Sequence, residues 1–267
     1  EGIDIIFHAA ALKHVILCEK SPMQAVQTNI IGVENLITAA KYNKVQTLIF
    51  TSSDKAVNPT NVMGTSKLMG ERLITAANSR QKKVDTIMAS TRFGNVLGSN
   101  GSVIPLFKKQ IQNGGPVTLT DERMTRFVMS SKDAVKLVID SALHARGGEV
   151  FITKMPVIRI KDLAKVMISE LASIYGWDSR DIVIEVIGSK PGEKLYEELM
   201  SEEETTRAIE LERYFSVLPA FRGVYKDIDY KYDGIVSKKV ENPYISFKEK
   251  FLSHHEIKDL LIKNELI

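Results

Sequence analysis

The sequence lacks several features that would assign it to a particular class of protein. Across its 267 residues, no apolar run approaches the roughly 18 residues that would indicate a membrane-spanning helix. Cys18 is its only cysteine, which excludes an internal disulfide bond and is typical of a reducing compartment. Its 36 basic and 33 acidic residues nearly balance, so the charge gives no indication of nucleic acid as a partner. The remaining composition, 44% hydrophobic and 26% charged, is that of an ordinary globular protein.

A glycine-rich dinucleotide-binding turn is also absent from the sequence. No Gly-x-Gly-x-x-Gly occurs, although a complete dinucleotide-binding domain needs this turn so that its backbone can approach the pyrophosphate. The chain opens almost directly in an apolar run, with neither a signal peptide nor an initiator Met. We therefore expect the first strands of such a domain to be missing, roughly 80–100 residues at about 30 per strand-helix-strand unit.

Apolar runs alternate with helical patterns along the chain, which predicts an α/β protein with a parallel sheet. Continuous apolar runs, typical of strands buried on both faces, predict strands at 3–8, 45–50, 85–91, 117–120, 149–152 and 182–187. Apolar stripes predict helices at 22–40, 61–77, 103–112, 131–144 and 161–175. We interpret the acidic groups at 197–198 and 202–204 as a solvated surface, and the Tyr-rich stretch 219–243 as irregular.

A capping-box pattern, Ser253 to Glu256, predicts a terminal helix. His254 and His255 lie within it, and adjacent histidines on a helix point in different directions. We therefore expect no metal site there.

The chemically richest stretch follows the strand predicted at 45–50. Ser53, Asp54 and Lys55 come directly after that strand, and the helix that follows carries Met63 and Lys67 on one face. In open α/β sheets, ligands bind at the carboxyl ends of the strands. A hydroxyl, an acid and an amine at such an end are therefore candidates for chemistry on a ligand.

This stretch resembles the active-site segment of the nucleotide-sugar 4,6-dehydratases of polysaccharide biosynthesis, which are extended short-chain dehydrogenase/reductases. The superfamily pattern places Tyr-x-x-x-Lys after a Ser or Thr, whereas this sequence keeps the spacing and Lys67 but has Met63 at the Tyr position. The Met is similar to that of some members acting on UDP-N-acetylglucosamine. The resemblance extends over nearly the whole chain, through the segments 8–15, 92–99, 124–127 and 190–194.

The resemblance implies a fold and an activity. The fold is a Rossmann-like doubly wound parallel sheet, incomplete because its first strands are absent, with a smaller C-terminal α/β substrate-binding region. The activity is that of a lyase converting UDP-N-acetylglucosamine to a UDP-4-keto-6-deoxy-N-acetylhexosamine. It proceeds by transient oxidation at C4, elimination of water across C5 and C6, and hydride return to C6. The implied cofactor is NADP or NAD, tightly bound and regenerated in each turnover.

The resemblance also implies roles for residues of the active-site segment. Lys55 is the base for the C5 proton, which requires a neutral amine, and Asp54 is the acid for the departing C6 hydroxyl. Ser53 holds the C4 oxygen, and Lys67 binds the nicotinamide ribose. A thioether cannot transfer a proton, so Met63 leaves the base for the C4 hydroxyl open, with water or Asp54 as alternatives.

Two further sets of residues are predicted to bind ligands on the same grounds. The predicted cofactor-binding residues are Ala9, Ala10, Ala11, Lys13, Asn29, Ser52, Lys67 and Arg92. Asn29 is expected either as a buried polar tie to the active-site strand or as an exposed helical residue. The predicted UDP-sugar-binding residues are Asn95, Ser99, Ser102, Arg126 and Glu193.

Alternative functions remain open at the level of the sequence. A C4 epimerase on the same scaffold would not need Asp54 and Lys55, and an inactive nucleotide-sugar-binding module would explain the lost Tyr. We expect three ranges: 1–120, the C-terminal part of the dinucleotide-binding domain; 121–218, mainly substrate-binding; and 219–267, a tail with a terminal helix. The expected partners are a UDP-sugar and further copies of the chain, and the expected location is cytoplasmic, membrane-associated if an upstream anchor exists.

Overall fold

The computed structural model describes residues 2–78, 86–99, 101–188, 192–221, 223, 225 and 228–267. Its α-helices are α1 Val15–Lys20, α2 Pro22–Ala25, α3 Gly32–Tyr42, α4 Val62–Ala77, α5 Val103–Gln112, α6 Ser131–His144, α7 Ile160–Leu171, α8 Glu202–Thr205 and α9 His254–Lys263. Its strands are β1 Ile5–His8, β2 Thr47–Thr51, β3 Ile87–Arg92, β4 Asn95–Val96, β5 Val117–Leu119, β6 Thr125–Met129, β7 Val150–Thr153, β8 Val157–Arg159, β9 Ile184–Val186, β10 Glu198–Met200, β11 Ala208–Leu211, β12 Tyr214–Val217, β13 Ile235–Ser237 and β14 Tyr244–Ile245.

The chain divides into two compact units, each assembled from three separate segments. Unit 1 comprises Glu1–Phe93, Val135–Lys154 and Glu198–Tyr244, and unit 2 comprises Gly94–Ala134, Met155–Glu197 and Ile245–Ile267. These boundaries differ from the continuous ranges expected from the sequence, because the chain leaves unit 1 after β3 and returns to it for β7 and again for β10 to β13.

Unit 1 contains a sheet with the strand order β1-β2-β3-β7-β12-β11-β13 among the described residues. Strands β1, β2, β3 and β7 are parallel, and β12, β11 and β13 continue the sheet in antiparallel pairs. The predicted α/β class and its parallel sheet are confirmed. The antiparallel extension was not predicted, since β11 and β12 follow segments interpreted as a solvated acidic surface.

Both faces of strand β2 in unit 1 are covered by helices. Successive residues of a strand point to opposite faces, and β2 shows this clearly. Leu48 and Phe50 pack with residues of α3 and α4, whereas Ile49 packs in a second cluster with Leu137 of α6. All three β2 side chains are at most 1% exposed. The sheet is therefore doubly wound around β2, as its continuous apolar run predicts.

Strand β1 departs from the expectation that it is buried on both faces. Ile5 is 45% exposed and Phe7 is 44% exposed. Among the described residues β1 pairs with β2 alone and lies at the edge of the sheet. The face that carries Ile5 and Phe7 is therefore less covered than the apolar run suggests.

Unit 2 is built from short strands around a separate apolar core. Strand β6 pairs in parallel with β4 and antiparallel with β8, and β5 pairs in parallel with β9. Helices α5, α7 and α9 contribute to one core cluster, which includes Phe107, Met167 and Leu261. The capping box predicted at the start of α9 is present, because the Ser253 side chain and the Glu256 side chain each bind the other residue's backbone N–H.

The stretch 219–243, interpreted as irregular, is more ordered in its described part than expected. Strand β13 lies within it, and Tyr225, Tyr230 and Tyr232 are each less than 10% exposed. The Tyr230 hydroxyl donates to the Gly147 carbonyl at 2.6 Å. Tyr230 and Tyr232 form part of the core of unit 1, so the frequency of tyrosine here indicated burial rather than irregularity. None of the helices in the described ranges has the length and apolar composition needed to cross a membrane.

Candidate active site

The turn that carries Ser53, Asp54 and Lys55 is fixed at the carboxyl end of β2. A 3-10 turn begins at Asp54, and the Ser53 hydroxyl accepts a hydrogen bond from the Lys55 backbone N–H at 3.3 Å. The Asp54 backbone N–H donates to the Phe93 carbonyl at 3.1 Å, which ties the turn to the end of β3. Both ties engage backbone N–H groups of the turn, so its backbone is held in place.

Asp54 and Lys55 form a direct ion pair within this turn. Lys55 Nζ lies 3.2 Å from Asp54 Oδ1 and 3.0 Å from Oδ2, and Ser53 Oγ donates to Oδ1 at 2.5 Å. The Asp54 side chain is 2% exposed, whereas the Lys55 side chain is 33% exposed. The pair therefore combines a buried carboxylate with an amine that reaches solvent. Transfer of one proton from Nζ to the carboxylate would convert the pair into a neutral amine and a carboxylic acid.

Helix α4 packs directly against this turn, and Gly64 allows the contact. A Cβ at Gly64 would lie 2.2 Å from the Lys55 carbonyl oxygen, which no side chain tolerates. The helix begins after Asn61, whose side-chain oxygen accepts a hydrogen bond from the Gly64 N–H at 2.8 Å. The predicted helix start is thereby confirmed, and the turn and the helix form one rigid element.

Met63, at the Tyr position, is part of a small apolar cluster. It is 4% exposed and packs with Cys18 and Ala25. A buried thioether in apolar surroundings neither donates nor accepts a proton. The residue therefore fills the core beside α4, and any proton transfer in this region must use other groups.

Lys67 lies one turn further along α4 and points toward β2. Its Nζ donates to the Thr51 carbonyl at 2.9 Å and lies 4.9 Å from the centre of the Phe50 ring. Burial lowers the pKa of the Lys67 ammonium to about 8, and the charge of Glu71 partly opposes that shift. The structure thus brings Lys67 to the same strand end as the Asp54–Lys55 turn.

Several buried polar atoms at the carboxyl ends of the parallel strands have no hydrogen-bond partner among the described residues. They are His8 Nε2 at the end of β1, Ser52 Oγ after β2 and Thr91 Oγ1 in β3. An unpaired buried polar group is costly, so such groups indicate a missing ligand or water. They lie at the edge of the sheet where ligands bind in doubly wound folds. The residues present fit a dinucleotide that offers polar groups to this edge.

Asn29 is a buried polar tie, one of the two predicted alternatives, but to other elements than expected. Its side chain accepts from the Leu12 N–H at 2.8 Å, and Nδ2 donates to the Leu12 carbonyl at 3.0 Å and to Ser66 Oγ at 2.9 Å. It therefore links the loop after β1 to α4 rather than to β2. It lies in a π-helical turn, Val26–Ile31, a local irregularity that often marks a functional position.

Arg92 requires a correction, because the structure gives it a role other than cofactor binding. Its Nε and Nη2 donate to Glu71 at 3.0 and 2.6 Å, and its Nη1 and Nη2 donate to Glu204 at 2.9 and 3.0 Å. Its remaining N–H, on Nη1, donates to the Leu199 carbonyl at 2.8 Å. All five guanidinium N–H groups are engaged, and the residue is 1% exposed. Arg92 therefore links α4, β3, β10 and α8.

The other predicted cofactor-binding residues are less constrained by the structure. Ala9, Ala10 and Lys13 are exposed in the loop after β1, and Ala11 is half-buried. Their assignment stays a prediction.

In unit 2, two of the predicted substrate-binding residues share one carboxylate. Asn95 Nδ2 donates to Glu197 Oε2 at 2.8 Å, and Arg126 Nε lies 3.3 Å from Glu197 Oε1. The other Arg126 N–H groups contact the carbonyls of Thr125, Leu195 and Lys194 and the Met124 sulfur. Arg126 therefore holds the segment before β10 and, in this arrangement, has no N–H directed elsewhere.

The remaining predicted substrate-binding residues lie on loops of unit 2. Ser102 precedes α5, and its buried Oγ contacts no partner in the described ranges. Ser99 is half-buried, and Glu193 is exposed. Lys190 and Pro191, which open the motif 190–194, lie outside the described residues. These assignments stay predictions.

Three important acids were missed or misinterpreted from the sequence. Glu197 and Glu204 were interpreted as parts of a solvated surface, but they are 5% and 6% exposed. Glu71, 3% exposed, was not singled out. Two signals were present: Glu71 follows Lys67 by four residues on one helix face, and Ser201 with Glu204 forms a capping box that the structure confirms.

The doubly wound parallel sheet of unit 1, with Lys67 and the Asp54–Lys55 turn at its strand ends, defines a Rossmann-like α/β fold. Two solved structures share this fold at low sequence identity. The dTDP-glucose 4,6-dehydratase DesIV from Streptomyces venezuelae, with NAD bound, has a TM-score of 0.62 at 21% identity and covers 73% of this chain and 63% of its own. A UDP-N-acetylglucosamine 4-epimerase from Methanobrevibacter ruminantium has a TM-score of 0.63 at 20% identity, over 98% of this chain and 76% of its own.

The chain belongs to the polysaccharide biosynthesis protein family, whose model matches residues 1–219. Pen from Bacillus thuringiensis has a crystal structure with a TM-score of 0.89 and 43% identity, over 100% of this chain and 77% of that one. A membrane protein of Methanocaldococcus jannaschii is 52% identical over 98% of this chain and 75% of its own length. A UDP-glucose 4-epimerase of Rickettsia canadensis is 42% identical over 98% of this chain and 74% of its own length.

Proposed function

We propose that this chain carries the chemistry of a UDP-N-acetylglucosamine 4,6-dehydratase. The observation that carries the proposal is the Asp54–Lys55 pair, in which Lys55 Nζ lies 3.0 Å from Asp54 Oδ2 at the carboxyl end of β2. Elimination of water across C5 and C6 of a 4-keto sugar needs a base for the C5 proton and an acid for the C6 hydroxyl. An amine and a carboxyl in direct contact supply both.

The proton balance of the elimination can be written with these two residues. Proton transfer from Lys55 Nζ to the Asp54 carboxylate produces a neutral amine beside a carboxylic acid. The amine then takes the C5 proton while the acid donates to the leaving C6 oxygen, and water departs. The pair thereby returns to the ammonium and carboxylate forms. Ser53 donates its one hydrogen to Asp54 Oδ1 at 2.5 Å in the structure, so to hold the C4 oxygen its hydroxyl would have to turn that hydrogen toward the sugar.

NAD or NADP is the cofactor in this proposal, and a bound nicotinamide would supply reversible hydride transfer. Lys67 and Ser52 are the residues that would hold its ribose. Lys67 is buried and held by the Thr51 carbonyl, and Ser52 Oγ is buried without a partner in the described part of the chain. The bound NAD of DesIV supports the choice of cofactor class.

The family match and several relatives support nucleotide sugars as the substrate class. The choice of UDP-N-acetylglucosamine rests on the Met63 motif, and the binding of UDP-sugar by Asn95, Ser99, Ser102, Arg126 and Glu193 is part of the same proposal.

The test is an assay of the intact protein with UDP-N-acetylglucosamine and NAD or NADP, followed by mass spectrometry of the product. We expect a product lighter by one water and without net consumption of the cofactor. Lys55→Ala and Asp54→Asn should abolish this product while binding of the UDP-sugar survives. Normal turnover by either variant would refute the assigned roles.

A C4 epimerase is the second candidate, and the names of relatives such as the Rickettsia UDP-glucose 4-epimerase favour it. An epimerase returns the hydride to the other face of C4 and eliminates nothing, so it has no use for the Asp54–Lys55 pair. The same assay discriminates the two, because an isomer of unchanged mass would establish epimerisation and exclude dehydration.

A further inference from the structure

The hydrogen bonds around Asn95 restrict what this residue can offer to a ligand. A carboxylate only accepts hydrogen bonds, so Glu197 requires Asn95 to turn its NH2 group toward it. Nδ2 donates to Glu197 Oε2 at 2.8 Å and makes a longer contact of 3.4 Å with the Phe127 carbonyl. Both hydrogens of the amide are therefore directed at protein acceptors. Among the described residues no donor contacts Asn95 Oδ1.

Glu197 itself is held in place from several sides, so the amide orientation is not free to change. Its backbone N–H donates to Ser246 Oγ at 3.0 Å, and its carbonyl accepts from the Ser246 N–H at 2.9 Å. Ser246 is fully buried, and its hydroxyl lies 2.7 Å from that of Thr125 in β6. Arg126 binds the other carboxylate oxygen. Contacts to its backbone and to its carboxylate therefore hold Glu197 in place.

We propose that Glu197 is a specificity-determining residue that makes Asn95 a hydrogen-bond acceptor for the ligand, so that this position selects an N–H or O–H donor of the nucleotide sugar. The proposal rests on the proposed function for its ligand class. A diphosphate offers only acceptor oxygens, and Asn95 Oδ1 would repel it. The matching donors of a UDP-sugar are the uracil N–H, the ribose hydroxyls, and the hydroxyl or acetamido N–H groups of the hexose.

The substitution Glu197→Gln tests this proposal because it replaces one acceptor oxygen with an NH2 group. Arg126 carries the charge and retains the remaining oxygen, so the new NH2 faces Asn95. Two NH2 groups cannot bind each other, and Asn95 then gains by turning its oxygen toward residue 197 and its NH2 toward the ligand. The acceptor that the ligand needs is lost with almost no change in side-chain volume.

The experiment measures calorimetric affinities of the intact protein for UDP-N-acetylglucosamine, UDP-glucose and UDP. The variants are Glu197→Gln, Asn95→Ala and the double variant. We expect Glu197→Gln to weaken binding about tenfold for every probe that carries the recognised donor, as expected for an unsatisfied hydrogen bond. In the Asn95→Ala background the same substitution should change affinity less than about twofold, because the two residues act as one unit.

The pattern across the probes identifies the donor and separates the possible failures. A loss that includes UDP places the donor in the nucleoside, and a loss confined to the sugar-bearing probes places it in the hexose. Equal losses with and without Asn95 would show a merely structural role and overturn the proposal, as would unchanged affinities. Absence of binding of all three probes to the wild type would overturn it as well.

Two further results keep the inference independent of folding and of the proposed function. Should Glu197→Gln fail to fold, Asn95→Ala alone decides: it must weaken UDP-sugar binding and leave inorganic pyrophosphate binding unchanged, and the reverse pattern refutes the inference. Positive coupling without a dehydrated product would leave this inference standing and refute the dehydratase. A dehydrated product without coupling would refute this inference and support the dehydratase.

Discussion

Two clusters of charged side chains in unit 1 have similar contact distances but differ in how far their side chains are exposed to solvent. In the Arg92 cluster, the guanidinium of Arg92 and the carboxylates of Glu71 and Glu204 have side chains that are 1%, 4% and 8% exposed. Every N–H of Arg92 has an acceptor. In the Asp54–Lys55 pair, the carboxylate is equally buried, but the Lys55 side chain is 33% exposed.

The difference between the clusters separates structure from chemistry. A planar guanidinium that is always charged and fully hydrogen-bonded cannot exchange a proton, so the Arg92 cluster serves to hold elements together. An ammonium has a transferable proton, and Lys55 combines it with access to solvent. Substitutions in the two clusters should therefore affect different properties, namely turnover in one and stability in the other.

The largest effect is expected from Lys55→Ala, which should lower turnover at least about 10³-fold, within the range of general acid–base catalysis. Its free energy of unfolding should fall by about 1–3 kcal/mol, less than for Arg92→Met, because the buried Asp54 carboxylate loses its cation but keeps the hydrogen bond from Ser53. Turnover of UDP-N-acetylglucosamine and urea denaturation measure the two quantities.

Lys161→Ala is the matched control for Lys55→Ala. Lys161 is 34% exposed and paired with Glu122 at 2.6 Å in unit 2. It should leave both turnover and stability nearly unchanged. If Lys55→Ala and Lys161→Ala behave alike, the Asp54–Lys55 pair is an ordinary ion pair and the comparison between the clusters collapses.

Arg92→Met should destabilise the protein by about 3–5 kcal/mol, since it leaves the carboxylates of Glu71 and Glu204 buried without their cation. Chemical denaturation of the variant and wild type measures the difference. Arg123→Met serves as the control: Arg123 is 74% exposed and pairs with Asp121 at 2.8 Å, so its loss should leave the free energy of unfolding nearly unchanged. If Arg92→Met were as stable as the wild type but no longer bound the cofactor, the structural role of Arg92 would be refuted. The cofactor-binding role predicted from the sequence would then stand.

Glu149 sharpens the comparison, because it is a buried carboxylate held mainly by backbone N–H groups. Burial raises the pKa of Glu149 to about 7, although the N–H groups of Arg146 and Gly147 oppose the shift. For Glu204, burial acts in the same direction, but the charge and hydrogen bonds of Arg92 outweigh it and lower the pKa to about 2. Similar burial therefore gives opposite shifts, depending on whether a guanidinium binds the carboxylate directly.

The sign of the pH dependence follows from these directions. Between its unfolded pKa near 4.5 and about 7, Glu149 is protonated in the folded state and ionised in the unfolded state. This contribution stabilises the protein below that window and is lost as the pH rises through it, by up to about 3 kcal/mol. Glu149→Gln should remove this part of the pH dependence, measured as unfolding free energy from pH 4 to 8. An unchanged pH profile would contradict the assignment.

The smallest effect is expected from Met63→Leu. The exchange nearly conserves volume in the apolar cluster with Cys18 and Ala25, so stability should change by less than about 1.5 kcal/mol. Turnover should be unaffected, because Met63 transfers no proton. Met63→Tyr is the informative second variant. Its larger side chain should overpack the cluster and lower the free energy of unfolding by about 1–3 kcal/mol. Thermal denaturation and the turnover assay measure both, and a loss of turnover in Met63→Leu would contradict the assignment.

The parallel core of unit 1 and the turn at Asp54 could be predicted because their signals are local. The apolar run of β2, the Asn61 cap and the four-residue spacing of Met63 and Lys67 each depend on neighbours in sequence. The Arg92 cluster could not be predicted, because Arg92 meets Glu204 over 112 residues of sequence. Without knowledge of a distant cation such as Arg92, an acidic run such as 202–204 predicts a solvated surface.

The same reason explains why Glu197 in unit 2 was misinterpreted as part of a solvated surface. Asn95 and Glu197 are 102 residues apart, and nothing local in either segment indicates that they share a hydrogen bond. Motif resemblance marked Asn95 and Arg126 as important but did not say which of their atoms are already used. That information lies in the tertiary contacts alone.

The π-helical turn at Val26–Ile31 has a consequence for how this protein can vary in length. A π-helical turn contains one residue more than the α-helical turn it replaces. Deleting a single residue there would restore a regular α-helical turn, and the helical residues on either side would keep their faces. Asn29 lies inside the turn, so the deletion would move its side chain away from Leu12 and Ser66 while the flanking helices keep their contacts.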